Sequence, residues 1–149
     1  MKKTALIILA TLSISACKEM DKKVAPVEQM TKDEIQKAVT DTTNFTTITW
    51  LDSTTQSLGK LKKSKEIEIT WRFKNTGDKN LIIENVTAEC GCTIPEKPEQ
   101  PFAPGQEGVI KAKYNGSGSG MITKKVHVLA NTKHIKDHTL TFSGEISEN

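Results

Sequence analysis

Ile67, Ile69, Trp71 and Phe73 alternate with Glu66, Glu68, Thr70 and Arg72. A period of two sends the apolar set to one side of an extended strand and the charged set to the other. Such a strand is stable only when a second layer covers its apolar face. The remainder of the chain therefore has to supply a facing sheet or a helix, and its own pattern says which.

The same period recurs along the chain. Thr46, Ile48 and Trp50 alternate with Thr47, Thr49 and Leu51, and Leu81 to Val86 form a short apolar run. Ile110, Ala112 and Tyr114 alternate with Lys111 and Lys113. Val126, Val128 and Ala130 alternate with Lys125, His127 and Leu129, and Leu140, Phe142 and Ile146 with Thr139, Thr141 and Glu145. Turn residues separate these runs, as in Asn75-Thr76-Gly77-Asp78. Short strands broken by such turns predict an all-β, immunoglobulin-like antiparallel β-sandwich over residues 45–147. No helical pattern of comparable length competes.

Three connections carry specific expectations. Residues 90–106 include Pro95, Pro98, Pro101 and Pro104, which excludes a central strand and suggests the crossover between sheets. Gly116-Ser117-Gly118-Ser119-Gly120 reads as a flexible hairpin connection. Gly77 is free to take positive φ in the Asn-Thr-Gly turn, and Pro104-Gly105 fits the centre of a type II turn. Gly144, on the inward face of the last strand, marks a bulge or the close approach of another strand.

Upstream of the sandwich, Thr31-Lys32-Asp33-Glu34 fits a capping box, and Ile35, Ala38 and Val39 follow at helical spacing. A short helix to about Thr40 is expected. Residues 18–30 are charged, poor in large apolar groups and interrupted by Pro26, so they read as a disordered tether. Before them, Lys2 and Lys3 precede a short apolar segment, Ala5 to Ile14, and then Ser15-Ala16-Cys17. This is the layout of a secretory signal. The apolar run is too short for a transmembrane helix, which needs about 20 residues. The cysteine after small residues resembles a bacterial lipobox. Residues 1–16 are then a lipoprotein signal peptide, Cys17 the acylated N-terminus, and residues 17–44 a lipid-anchored tether with its short helix. The expected location is the cell envelope, lipid-anchored at the outer membrane, either periplasmic or surface-exposed. Lys18-Glu19 with Asp21 resembles the signal that sends some Bacteroidetes lipoproteins to the outer face.

Charge narrows the partners. The chain has 21 Lys and Arg and 18 Asp and Glu; loss of Lys2 and Lys3 with the signal leaves 19 against 18. Aromatic residues make up 5% of the chain. A near-neutral domain with few aromatics is not a nucleic-acid binder.

Asn75-Thr76-Gly77, Leu81-Ile82-Ile83, Cys90-Gly91-Cys92-Thr93 and Pro104-Gly105, with Gly120, Lys124, Asn131 and Gly144, resemble the bacterial family known as domain of unknown function 1573. The Cys-Gly-Cys-Thr step is the specific element. The resemblance covers residues 45–147. It implies an immunoglobulin-like sandwich similar to PapD-like and Hydin-type domains in an exported Bacteroidetes-type protein, and it implies no reaction. The Gly/Ser run before Gly120 is richer in glycine than the family pattern.

Candidate chemistry is confined to Cys90 and Cys92. A Cys-x-Cys disulfide closes a very small ring, so it removes little unfolded-state entropy and makes a poor staple. Such a small ring is strained, and strained bonds are the more reducible ones. One reading makes the pair, as thiols or as a disulfide, part of a turn. A second makes it a soft-metal site for copper or zinc, since two thiolates suit such ions. A third makes it a redox pair. His134 and His138 extend the metal reading if they fall at the same end of the sandwich, which an extra strand in the proline segment would prevent. The alternative to ligation is that His134 and His138 belong to a solvated loop leading into the last strand, and His127 is a surface histidine. No nucleophile elbow, zinc-protease helix or phosphate loop is present. The expected function is a non-catalytic binding or structural module with a protein partner and no cofactor. The alternative is metal handling or thiol redox through Cys90 and Cys92.

Overall fold

The computed structural model describes residues 30–147. The expected signal peptide, the expected lipidation site Cys17 and the expected tether up to residue 29 lie outside the described residues. The chain enters through helix α1 (Lys32–Thr40) and a 3-10 turn (Thr42–Asn44). The expected capping box forms: Glu34 N donates to the Thr31 hydroxyl at 3.3 Å, and Thr31 N donates back to the Glu34 carboxylate at 2.8 Å. That return bond holds the Glu34 carboxyl below its usual range.

Eight strands follow: β1 (Ile48–Trp50), β2 (Thr55–Lys62), β3 (Ile67–Asn75), β4 (Ile83–Ala88), β5 (Thr93–Glu96), β6 (Glu107–Tyr114), β7 (Gly120–Ala130) and β8 (Asp137–Ser147). They form two four-stranded sheets, ordered β1-β3-β6-β5 and β2-β8-β7-β4. Trp71, Phe73, Ile110, Tyr114, Val126, Val128, Leu140 and Phe142 are fully buried between the sheets. Each large side chain so buried contributes about 1.5–3 kcal/mol. Phe142 from one sheet meets Trp71 and Tyr114 from the other, with ring centroids 6.4 and 5.5 Å apart.

The fold is the expected immunoglobulin-like sandwich with two differences. One sheet is mixed, because β2 runs parallel to β8. The first edge strand is split: β1 pairs with β3, the chain then switches sheets through residues 51–54, and β2 continues along β8. The proline segment also contains a strand, β5, at a sheet edge, the position that tolerates Pro95.

The glycines have different causes. Gly105 has φ +81°, and Gln106 N donates to Ala103 O at 3.0 Å, as the expected turn requires. Gly77 does not take positive φ. A Cβ there would stand 2.1 Å from Thr46 Oγ1 and 2.6 Å from Thr47 N, so the incoming chain excludes a side chain. At Gly144 a Cβ would meet Leu61 Cδ1 at 2.7 Å and Gly59 O at 3.0 Å. Strand β2 makes that close approach at its bulge, where the register slips between Ser57 and Lys60.

Candidate functional site

The strand directions sort the loops to two ends. At the end where the chain enters, Thr46 N donates to Asn131 O at 3.0 Å, and two buried asparagines organise the loops. Asn75 Nδ2 donates to Lys79 O and Phe102 O, while its Oδ1 accepts from the Thr46 hydroxyl and Gly77 N. Asn131 Nδ2 donates to Asn44 O and Asn80 O, and its Oδ1 accepts from Ile82 N. Both amides are satisfied, which is what makes their burial tolerable. Lys136 Nζ donates to Val39 O at 3.2 Å and lies 4.7 Å from the Phe45 ring centroid, so the helix is held against this end. Glu84, 4.0 Å from that ammonium, has its pKa raised by burial, with Lys136 opposing the shift. Met30, Ala38, Ile82 and Asn131 are among the residues lining a recess of about 280 Å³ beside the helix.

The opposite end gathers the β2–β3, β4–β5 and β6–β7 turns. Ser64 N donates to Gly116 O at 2.9 Å, and Asn115 N donates to Cys92 O at 3.0 Å, so the three turns are joined. Gly116 has φ +73°, and a Cβ there would stand 2.6 Å from Lys65 O. The Gly/Ser run is therefore seated on the neighbouring turn. Tyr114 Oη adds a hydrogen bond to Ser117 O. Lys60, Lys62, Lys63 and Lys65 are exposed here, and Ile94 on β5 is 65% exposed.

Cys90 and Cys92 lie in the turn that carries the chain from β4 at one sheet edge to β5 at the edge of the other, and they are joined as a disulfide with Cα atoms 5.3 Å apart. Thr93 N closes the turn on Cys90 O at 3.2 Å. The Thr93 hydroxyl, in a residue 3% exposed, lies 3.8 Å from Cys90 Sγ and 3.9 Å from Cys92 Sγ. Only the three-dimensional turn brings that hydroxyl to both sulfurs; in the sequence Thr93 is just the residue after the pair.

The histidines are elsewhere. With β5 inserted, the β7–β8 turn holding His134 falls at the entry end, away from the disulfide. His134 is exposed with φ +69°. His138 is half-buried on β8: its Nε2 lies 2.8 Å from Thr132 Oγ1, and its ring meets Trp50 edge-on at 6.0 Å. Burial lowers its pKa, with Asp137 opposing the shift. His127 lies on the outward face between Glu89 at 3.6 Å and Asp137 at 3.4 Å. Among the described residues, no group of three or more His, Cys, Asp and Glu side chains converges as a metal site would require. Elsewhere on the outer faces, charges pair across strands, as in Lys111 with Glu68 at 3.9 Å and Lys113 with Glu96 at 3.5 Å, and Arg72 on β3 pairs with Asp52 of the 51–54 segment at 2.7 Å.

Comparisons with known proteins agree with this geometry. A protein of unknown function from Porphyromonas gingivalis W83 superposes with a TM-score of 0.61 at 14% identity, over 70% of this chain and 49% of its own. The chain thus spans about half the length of that protein. The PapD-like domain 7 of human CEP192 superposes with a TM-score of 0.56 at 11% identity, over 71% of this chain and 89% of the domain. The VesB protease of Vibrio cholerae matches with a TM-score of 0.53 at 10% identity, over 75% of this chain and 35% of its own. At these identities the likeness is one of fold. A comparison with curated protein sequences finds no match. The family model described as "Protein of unknown function (DUF1573)" matches residues 48–146, which span the sandwich from β1 to the end of β8, and the chain belongs to that family.

Proposed function

We propose that the protein is a lipid-anchored, non-catalytic binding module of the cell envelope. Cys17 carries the lipid, the tether spaces the sandwich from the outer membrane, and the tip opposite α1 meets a protein partner. The observation behind this reading is the tip itself. Three turns from both sheets are joined by the Ser64–Gly116 and Asn115–Cys92 hydrogen bonds, beside the exposed Ile94. Loops held on a rigid sandwich are the usual place for recognition. Exposed Lys60 and Lys62 at the end of β2, with Lys65 on the β2–β3 turn, favour an acidic partner surface. The titratable groups of the outer faces are spread in cross-strand ion pairs, an arrangement suited to solubility rather than proton transfer.

Fatty-acid labelling and membrane fractionation test the anchor: wild type should label and sediment with membranes, and Cys17→Ser should do neither. Site-specific photocrosslinking on intact cells tests the tip. A probe at position 94 should give one defined adduct, which the same probe at exposed Thr42, at the entry end, should not. Equal adducts from both positions would remove the tip from the proposal.

A further inference from the structure

A bond between residues two apart constrains the unfolded chain very little, so stability alone does not explain the Cys90–Cys92 disulfide. The turn that holds it is already fixed by backbone bonds, from Thr93 N to Cys90 O and from Asn115 N to Cys92 O. Both cysteines are partly exposed, and, its two chain neighbours aside, nothing stands within 4 Å of where a Cβ on the exposed Gly91 would be. An incoming thiol therefore approaches from the solvent side, where the two cysteines are partly exposed and Gly91 carries no side chain. On the inner side the Thr93 hydroxyl faces both sulfurs, at 3.8 and 3.9 Å. A hydroxyl placed between two sulfurs can donate its proton to whichever one becomes a thiolate, and a hydrogen bond to the charged form lowers a thiol pKa.

We infer that Cys90–Cys92 is a thiol–disulfide exchange site that accepts two electrons from a dithiol, with the Thr93 hydroxyl stabilising the departing thiolate. A thiolate of the dithiol attacks one sulfur of the pair. An intermolecular S–S bond forms, the Cys90–Cys92 bond breaks, and the other cysteine leaves as a thiolate hydrogen-bonded to Thr93. The second thiolate of the dithiol attacks the mixed disulfide and releases the remaining cysteine. The two protons lost by the dithiol end on Cys90 and Cys92, and the dithiol leaves as a disulfide. A thiolate stabilised by the Thr93 hydroxyl is a better leaving group, which speeds the first step. Here Thr93 touches a reacting atom, whereas the partner-binding role of the tip needs no electron transfer.

Full-length protein in detergent, incubated with dithiothreitol and then with graded glutathione buffers, tests this. Alkylation and mass spectrometry count the free thiols of Cys90 and Cys92, and far-UV circular dichroism follows the fold. The pair should open and close reversibly with the sandwich intact. Thr93→Val should slow opening by about tenfold, the loss of one hydrogen bond to a charged group, and move the pH profile of alkylation upward. Thr93→Ser, which keeps the hydroxyl, should restore both. A bond that opens only when the sandwich unfolds would overturn the proposal without any variant. A Thr93→Val protein that exchanges at the wild-type rate would overturn the role of the hydroxyl.

Discussion

The Thr46 hydroxyl donates to the Oδ1 of Asn75 at 2.9 Å, and both side chains are fully buried. Through this pair the first residues of the sandwich are locked to the end of β3. The same Asn75 side chain also holds the carbonyls of Lys79 and Phe102. Removing it orphans several buried groups at once. Asn75→Ala should cost about 3 kcal/mol, since each unsatisfied buried group costs about 1–3 kcal/mol. Urea unfolding checks this, and a loss below about 1 kcal/mol would mean that water replaces the amide.

Gly77 and Gly59 separate two reasons for glycine. At Gly77 the space is filled by Thr46 and Thr47, so Gly77→Ala should lose about 1–3 kcal/mol through overpacking. At Gly59 the space is open and φ is +66°, so Gly59→Ala should lose about 1–2 kcal/mol from backbone strain alone. Gly59→Asn should recover part of that loss, because Asn tolerates the left-handed region, whereas Gly77→Asn should be worse than Gly77→Ala. Thermal melts of the four variants decide the matter.

Trp71 is fully buried, pairs through β3 with Ile110 and faces Phe142 across the core. Trp71→Ala should destabilise by about 3–5 kcal/mol. That is a large share of the roughly 5–15 kcal/mol that holds a domain together. Trp71→Phe, which keeps an aromatic ring, should lose much less. Denaturant midpoints for the two variants give the comparison.

His138 makes stability depend on pH. Burial lowers its folded-state pKa from the ordinary 6.5. Between the two values the unfolded chain binds the proton and the folded chain does not. The contribution of this site is therefore complete above pH 6.5 and falls away as pH drops through the folded pKa. His138→Gln should flatten that part of the melting-temperature profile. Because the ring meets Trp50 edge-on, wild-type tryptophan fluorescence should fall as pH drops through the lowered folded-state pKa, where the imidazolium forms in the folded protein. A fluorescence step that persists in His138→Gln would assign it to another group.

The alternation in β3, β6, β7 and β8 was readable because each of these strands keeps one face in the core over several consecutive pairs. Strand β2 was not readable. Its inward residues Leu58 and Leu61 are three apart, since the bulge at Gly59 shifts the period, and its other side chains are polar. Strand β5 was hidden for another reason: four residues with a proline look like a loop unless an edge of β6 is present to pair with them. That small strand settles which end of the sandwich holds the cysteines and so parts them from His134 and His138. The Cys-Gly-Cys-Thr step stood out in the sequence as the candidate site, but a spacing of residues says nothing about where a hydroxyl points. Residue periodicity is a local property of one strand and survives in a linear reading. Strand order, the closeness of Thr46 to Gly77 and the position of Thr93 between two sulfurs are relations between distant or turning segments, and these exist only once the two sheets have packed.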